Sequence, residues 1–457
     1  MIEVPMRRVF EAVTAVLLVL VVAGLLAVAL LPLAPAVFTR TTPLVPQASL
    51  PAVAPAHVET GAPAAEAVSR SAVADAVEPV LADAPAAAGR LFGAVVDVAA
   101  GDVHYSRHGD ETGVPASSLK TVTAAAALSV LGEDTRRATE VYADGDAIVL
   151  VGGGDVLLTE ERIEELAAEA AEALTEDADD DVRTLGVVLD DTLFAGSTLS
   201  PHWDASLVTS NNIAPVMPIA MNAARTSEQK GAPRASDPAM SAALAFHRAL
   251  GAALDGTDVD LGDDVVRGER SAGADQIARL ESATTAEMVR VMTEDSENYV
   301  AETLGRLVAL ESGQPASFGG VSAALTAAVE NMGVDTAGLR LVDASGLAAA
   351  NRISPEQLAG VLAAASVSGS RDLREVSYML PIAGATGTLS ERLDADATRG
   401  KVRAKTGTLT GVVTLTGYVV TDGGRLLAFS FFAEDVPGAL GDSRDVLDAA
   451  AAKLAGL

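Results

Sequence analysis
Three short strings constrain this chain more than anything else in it: Ser117-Ser118-Leu119-Lys120, Ser296-Glu297-Asn298 and Lys405-Thr406-Gly407-Thr408, in that order. Each pattern is weak alone. The ordered set is strong, because one acyl-transfer site needs a serine nucleophile, an amine to take its proton and a cation for a substrate anion. The fold must therefore bring together residues from the first third, the middle and the end of 457 residues, a length for which two folded units are expected.

Two of the five lysines have a serine three positions before them: Lys120 with Ser117, and Lys230 with Ser227. On a helix, residues i and i+3 share a face. After Lys120 the run Thr121-Val122-Thr123-Ala124-Ala125-Ala126-Ala127-Leu128 predicts a buried helix, and burial lowers the proton affinity of an amine. A neutral Lys120 then accepts the Ser117 proton, and the Ser117 backbone N–H at the helix start faces a developing oxyanion. Read alone, Ser117 is also an ordinary helix cap. Ser227-Glu228-Gln229-Lys230 runs into Gly231-Ala232-Pro233, which breaks a helix, so that pair is expected on a surface loop.

Ser296-Glu297-Asn298 sits in a helical stretch from Thr285 to Leu310. A hydroxyl and an amide two positions apart do not share a helix face, so both enter a cleft only if the helix is interrupted or begins there. Ser210-Asn211-Asn212 imitates the string in a loop before Pro215 and Pro218. Lys405-Thr406-Gly407-Thr408 precedes the apolar strand Val412 to Val420. On an edge strand Lys405 meets a carboxylate, Gly407 permits close approach and Thr408 offers a backbone N–H. Thr386-Gly387-Thr388 imitates that string without a lysine and reads as a loop.

Other chemistries find little support. The absence of cysteine excludes disulfides and a thiol nucleophile. The five histidines show no metal spacing, and Gly152-Gly153-Gly154-Asp155 lacks the Lys and Ser/Thr of a phosphate loop, so no metal or cofactor is implied. Trp203, the one tryptophan, reads as packing. A formal charge of −30 disfavours nucleic acid as a partner.

Arg7 and Arg8 precede an apolar run from Ala12 to Leu31. Such a run matches a hydrocarbon core of about 30 Å. Residues 1–40 are therefore expected to be a single-pass anchor with everything after it outside the cell membrane. A cleaved signal peptide ending near Ala34-Pro35-Ala36 is the alternative, and either reading exports the protein. Residues 41–88 are Pro/Ala-rich and read as a tether, partly helical over Val73 to Ala87, with globular sequence from about Gly89. Strands are expected over Leu91 to Val98, Ala147 to Val151, Thr184 to Leu189, Val412 to Val420 and Arg425 to Phe432, and helices after Ser117, from Thr159 to Leu174, from Ala239 to Ala253 and from Asp445 to Leu454. The pattern is α+β, with helices on an antiparallel sheet.

From about residue 89 onward the chain resembles the D-alanyl-D-alanine carboxypeptidase/endopeptidase family of low-molecular-mass penicillin-binding proteins, class C type (peptidase family S13). Besides the three strings, the segments that carry the resemblance are Val149-Leu150-Val151-Gly152-Gly153-Gly154-Asp155, Asp190-Asp191-Thr192-Leu193-Phe194 with Trp203, Asp343-Ala344-Ser345-Gly346-Leu347 with Asn351-Arg352, and Leu380-Pro381-Ile382-Ala383-Gly384. The resemblance implies a serine β-lactamase/penicillin-binding-protein-like transpeptidase domain of 89–139 and 281–457, interrupted by an inserted α/β domain at 140–280. The 175 residues between Lys120 and Ser296 leave room for it, and since the motifs lie outside, the insert is expected to be separable from the site.

It further implies an exported D,D-peptidase without cofactor, which cleaves peptidoglycan stem peptides and is acylated by β-lactam antibiotics. Ser117 would be the nucleophile, Lys120 its base, Ser296 the proton relay and Asn298 the group that orients the substrate amide. Lys405, Thr406, Gly407 and Thr408 would hold the terminal carboxylate. Glu297 departs from the family's usual Asp or Asn and would put a longer acidic side chain near the site. A β-lactamase or esterase on the same scaffold, or a non-enzymatic cell-wall-binding scaffold protein, are the alternatives.

Overall fold
The computed structural model describes residues 67–176 and 183–457. The apolar run Ala12 to Leu31, its anchor and cleavage readings, and the tether as far as residue 66 lie outside them. Among the described residues no helix is long and apolar enough to cross a membrane.

The first element is a helix, α1 (Arg70–Ala82), inside the stretch whose composition reads as tether. Ser69 caps it by accepting from the Ala72 N–H at 3.1 Å, and Val73, Val77 and Leu81 form a buried stripe at four-residue spacing. Folded structure therefore begins ahead of Gly89. Pro79 is carried inside the helix because burial of that stripe outweighs local propensity.

The hairpin β1 (Arg90–Asp97) and β2 (Asp102–Arg107) follows, then a 3-10 turn over Ala116–Leu119 and the helix α2 (Lys120–Leu131). The middle of the chain holds β3 (Arg136–Asp144), β4 (Ala147–Val151), β5 (Asp155–Leu158), α3 (Glu160–Glu176), β6 (Arg183–Asp190), β7 (Ile219–Met221), α4 (Pro238–Ala253), β8 (Val259–Arg267) and β9 (Asp275–Thr284). The chain closes with α5 (Thr285–Glu294), α6 (Asn298–Glu311), α7 (Phe318–Asn331), α8 (Pro355–Val367), β10 (Val402–Leu409), β11 (Val412–Val420), β12 (Leu426–Glu434) and α9 (Gly441–Ala455).

Two five-stranded sheets organise these elements. The first runs β10-β11-β12-β1-β2, antiparallel throughout, so the two ends of the described chain meet where β1 pairs with β12, from Arg90↔Glu434 to Asp97↔Leu427. Its residues alternate between two cores. Leu91, Val95, Phe429 and Phe431 face α1 and α9, while Phe92, Val96, Ala428 and Phe432 face the cluster built by α2 and α5 to α8. Burial on both faces makes β11 and β12 near-continuous apolar runs.

The second sheet is mixed, in the order β8-β6-β4-β3-β9, with α3 and α4 packed together over its own core. Its strands β3 and β9 pair from Arg136↔Thr284 onward, so the chain enters and leaves this unit at neighbouring points. Strands β3, β8 and β9 carry many charged residues and half-exposed positions, so their apolar pattern in sequence is weak. The stretch 191–237 behaves differently. Ile213, Ala214, Ala220, Ala223 and Ala224 pack into the cluster of α2 and α5 to α8, not into the core of the second sheet.

Candidate active site
Ser117 lies in the 3-10 turn, and the α-helix proper begins at Lys120. Ala116, just before it, holds φ at 45°, a left-handed conformation that strains a residue with a Cβ. Its surroundings keep it there. Thr414 Oγ1 on β11 donates to Pro115 O at 2.8 Å and lies 2.8 Å from Ser118 Oγ. Across the turn stands Gly346, where a Cβ would come within 1.8 Å of Ala116 O. Sheet and loop thus grip the turn from two sides, leaving Ser117 part-exposed and Lys120 0% exposed.

Lys120 Nζ is 3.0 Å from Ser117 Oγ, 2.8 Å from Asn298 Oδ1 and 2.7 Å from Ser345 O. Burial pulls its proton affinity down to about 8, and the carboxyl groups of Asp343, Glu302 and Glu297 oppose that fall. A neutral amine has two hydrogens and one lone pair. Asn298 Oδ1 and Ser345 O only accept, so they take the hydrogens, and the lone pair is left for the Ser117 hydroxyl. The lowered proton affinity brings the neutral, proton-accepting form of this lysine within reach near pH 8 and above.

Behind Lys120 lie two buried carboxyl groups, Asp343, which heads one of the segments that carry the family resemblance, and Glu302, which sequence reading did not single out. Asp343 accepts from the N–H groups of Gly346 and Ala348, from Asn351 Nδ2 and from Trp203 Nε1, between 2.7 and 2.9 Å. Trp203 is thus more than packing: it ties the stretch 191–237 to the loop that faces Lys120. Glu302 accepts from the N–H groups of Ala344 and Ser345, which orients the Ser345 carbonyl toward Lys120. Burial first, and then the negative Asp343, raise the Glu302 carboxyl to about 8. The segment Asp343 to Leu347 was visible in sequence as a motif, but the i+4 placement of Glu302 after Asn298 was the available signal for the second acid.

The second string sits at a break. Instead of one helix from Thr285 to Leu310, α5 ends at Glu294 and α6 starts at Asn298. Ser296 carries a positive φ of 56°, and Glu297 caps α6 by accepting from the Tyr299 N–H at 3.1 Å. That break meets the condition under which a hydroxyl and an amide two positions apart can both face a cleft. Asn298 reaches Lys120 with its Oδ1 and donates from Nδ2 to Asn212 O at 2.9 Å. The look-alike Ser210-Asn211-Asn212 is therefore a backbone support of the site. Glu297 does not project its charge into the cleft: it is 4% exposed and paired with Arg225 and Arg234. Burial pushes its carboxyl up, but the two guanidinium groups overrule this and hold it below the usual range.

The third string forms the edge strand β10 of the first sheet. Lys405 is buried, and its Nζ donates to Thr406 O at 2.8 Å. Its proton affinity lies well below the usual amine range, first from burial and then from the positive Lys120 and Arg392. Gly407 packs so closely that a Cβ would stand 2.0 Å from Thr414 Oγ1. Thr406 Oγ1 donates to Thr388 Oγ1 at 2.9 Å, so the imitation Thr386-Gly387-Thr388 also borders the site. Thr408 is exposed. Lys230 lies on the surface and pairs with Asp295 at 2.9 Å.

Asn212, Arg225 and Arg234 all come from within 140–280, so the expectation that this segment is separable from the site fails for its 191–237 part. Among the described residues no group of three or more His, Cys, Asp or Glu is placed to hold a metal ion.

A serine on a tight turn beside a buried lysine that opens a helix, under an antiparallel sheet whose edge carries a second lysine, is the arrangement found in penicillin-recognising serine hydrolases. Penicillin binding protein 4 of Haemophilus influenzae shares the fold: 83% of this chain and 98% of that one superpose with a TM-score of 0.67 at 21% identity. Residues 73–240 and 223–454 match the model of the D-Ala-D-Ala carboxypeptidase 3 (S13) family. A carboxypeptidase of Mycobacterium tuberculosis is 33% identical over 88% of this chain and 86% of its own length. Carboxypeptidase DacB of Mycolicibacterium smegmatis is 34% identical over 90% and 89%. The chain belongs to the S13 family and is a serine-type D-Ala-D-Ala carboxypeptidase.

Proposed function
We propose that Ser117 attacks the carbonyl between the two terminal D-Ala residues of a peptidoglycan stem peptide while Lys120 Nζ takes its proton. Ser296 passes that proton to the leaving amine as the C–N bond breaks. Asn298 orients the substrate amide. The substrate's terminal carboxylate lies against Lys405, Thr406 and Thr408, and its arrival restores the charge that burial has made costly for Lys405. Water, deprotonated by Lys120, then attacks the Ser117 ester and releases the product. A β-lactam follows the first step and stalls at the second. The observation that carries this reading is the contact set of buried Lys120, with Ser117, Asn298 and Ser345 all within 3.0 Å.

Incubating the protein with a penicillin and mapping the adduct by mass spectrometry tests it. One penicilloyl group on Ser117 is expected, and an adduct elsewhere or none at all refutes the assignment. We further propose that residues 1–40 anchor the protein in the cell membrane with the hydrolase outside, which fits a cell-wall substrate. We also propose the division into a peptidase domain and an insert at 140–280, supported by the second sheet and by the neighbouring strands β3 and β9.

A further inference from the structure
Arg234 has a place in the molecule that neither its sequence context nor the proposed chemistry explains. Its side chain is 6% exposed, and every branch of the fork has a partner. Nη2 donates to Glu297 Oε1 at 2.7 Å, Nε to Asn211 O at 2.9 Å and Nη1 to Ala223 O. Two of the three partners, Glu297 and Asn211, lead to the second string or its support. Glu297 lies between Ser296 and Asn298 and caps α6. Asn211 precedes Asn212, whose carbonyl takes the Asn298 Nδ2 hydrogen. Ala223 is the centre of three successive non-glycine residues with positive φ, Asn222, Ala223 and Ala224, at 51°, 54° and 65°. Consecutive strain of this kind persists only where neighbours over-determine it. Here the neighbours are Arg234 and a short ladder that returns the chain on itself, Thr226 N to Pro233 O and Ala235 N to Ala224 O.

We propose that Arg234 is a positioning residue of the hydrolase site, which holds Ser296 through Glu297 and Asn298 through both Glu297 and the Asn211–Asn212 backbone. The proposal rests on the function proposed above. The planar fork suits this role because it reaches a carboxylate and two carbonyls at fixed angles, which an ammonium on a flexible stem does not. Arg225, the second partner of Glu297, supplies charge, but no backbone contact to the Asn298 support. In this way a segment inserted between the first two strings becomes a structural part of the second.

The test uses the full-length protein, with hydrolysis of a D-Ala-D-Ala-terminated peptide and the rate of penicillin acylation as readouts. Arg234→Ala is expected to lower both kcat and the acylation rate about a hundredfold, the loss that accompanies a misplacement of roughly 1 Å, with a much smaller change in KM. Arg234→Lys, which restores the charge beside Glu297 but not the fork, recovers part of the loss. Glu297→Gln keeps an acceptor for the Tyr299 N–H and removes the charge. It carries the same test should Arg234→Ala fail to fold, with an expected loss in kcat of about tenfold. Arg425→Ala, which removes a bidentate pair with buried Asp97 on the first sheet, is the control for general destabilisation and is expected to keep kcat near wild type. Wild-type kcat in a folded Arg234→Ala or Glu297→Gln protein overturns the proposal. So does an equal loss in Arg425→Ala at a matched thermal midpoint. An inert wild type strikes the function itself, and this proposal with it, whereas an active wild type beside an equally active Arg234→Ala strikes only the positioning role.

Discussion

Ser117-Ser118-Leu119-Lys120 and Ser227-Glu228-Gln229-Lys230 share a spacing and little else. Lys120 is 0% exposed and has three oxygen partners from three separate parts of the chain. The Lys230 side chain is 85% exposed and has one partner, Asp295, across open surface. The first serine sits on a strained turn gripped by β11 and Gly346, the second on an exposed loop. Spacing puts a hydroxyl and an amine within reach of each other. Removing the amine from water is what lowers its proton affinity, and only the packing around α2 does that.

A set of variants and one pH profile probe this contrast, the largest effect first. Ser117→Ala is expected to abolish covalent penicillin labelling, and Ser227→Ala to leave it intact. Peptide mapping of the adduct decides between them, and loss of labelling in Ser227→Ala would erase the distinction. Next, Lys120→Met should lower kcat/KM for a D-Ala-D-Ala peptide by about 10³-fold, the usual worth of a positioned general base. In the wild type the sign follows from the lowered proton affinity. Below about pH 8 Lys120 is protonated and cannot accept from Ser117, so kcat/KM should fall about tenfold per unit as pH drops further. A flat profile between pH 6 and 8 would mean that Lys120 is not the titrating base.

Lys405 shares the burial of Lys120, but the role proposed for it differs, and so it sharpens the contrast. Lys405→Ala should weaken turnover of substrates with a free C-terminal carboxylate by about 1.5–3 kcal/mol more than turnover of a neutral ester. Equal losses on both would remove it from carboxylate recognition. Lys230→Ala is the smallest effect. An exposed ion pair is worth about 0–1 kcal/mol, so thermal midpoint and kcat should both stay close to wild type. A large loss in kcat would bring the loop 226–230 into the chemistry.

The chain ends of the first sheet were legible because β1, β11 and β12 are buried on both faces and read as apolar runs. The helix after Ser117 was legible for the same reason: ten of the twelve residues of α2 are buried. The second sheet was legible only in β4 and β6, since β3, β8 and β9 place charged side chains on exposed positions and weaken the alternation that marks a strand. Helix α1 was legible only in part, as a partly helical stretch over Val73 to Ala87, because Pro79 and Pro85 weaken the local signal and its buried face is completed by α9 from the other end of the chain.

The sequence by itself determined which residue types the site has to work with, and in what order: a serine with a lysine three positions on, a hydroxyl and an amide two apart, and a lysine on a strand. These are local properties, written in spacing and in the hydrophobic period. The tertiary structure decided which copy of each pattern is used and what its groups do. Lys120 meets Asn298 across 178 positions and Ser345 across 225, and Glu297 turns to Arg225 across 72. Proton affinity, helix breaks and ion pairs of that kind depend on distance and on exclusion of water, and both come into being only when separate segments pack against one another.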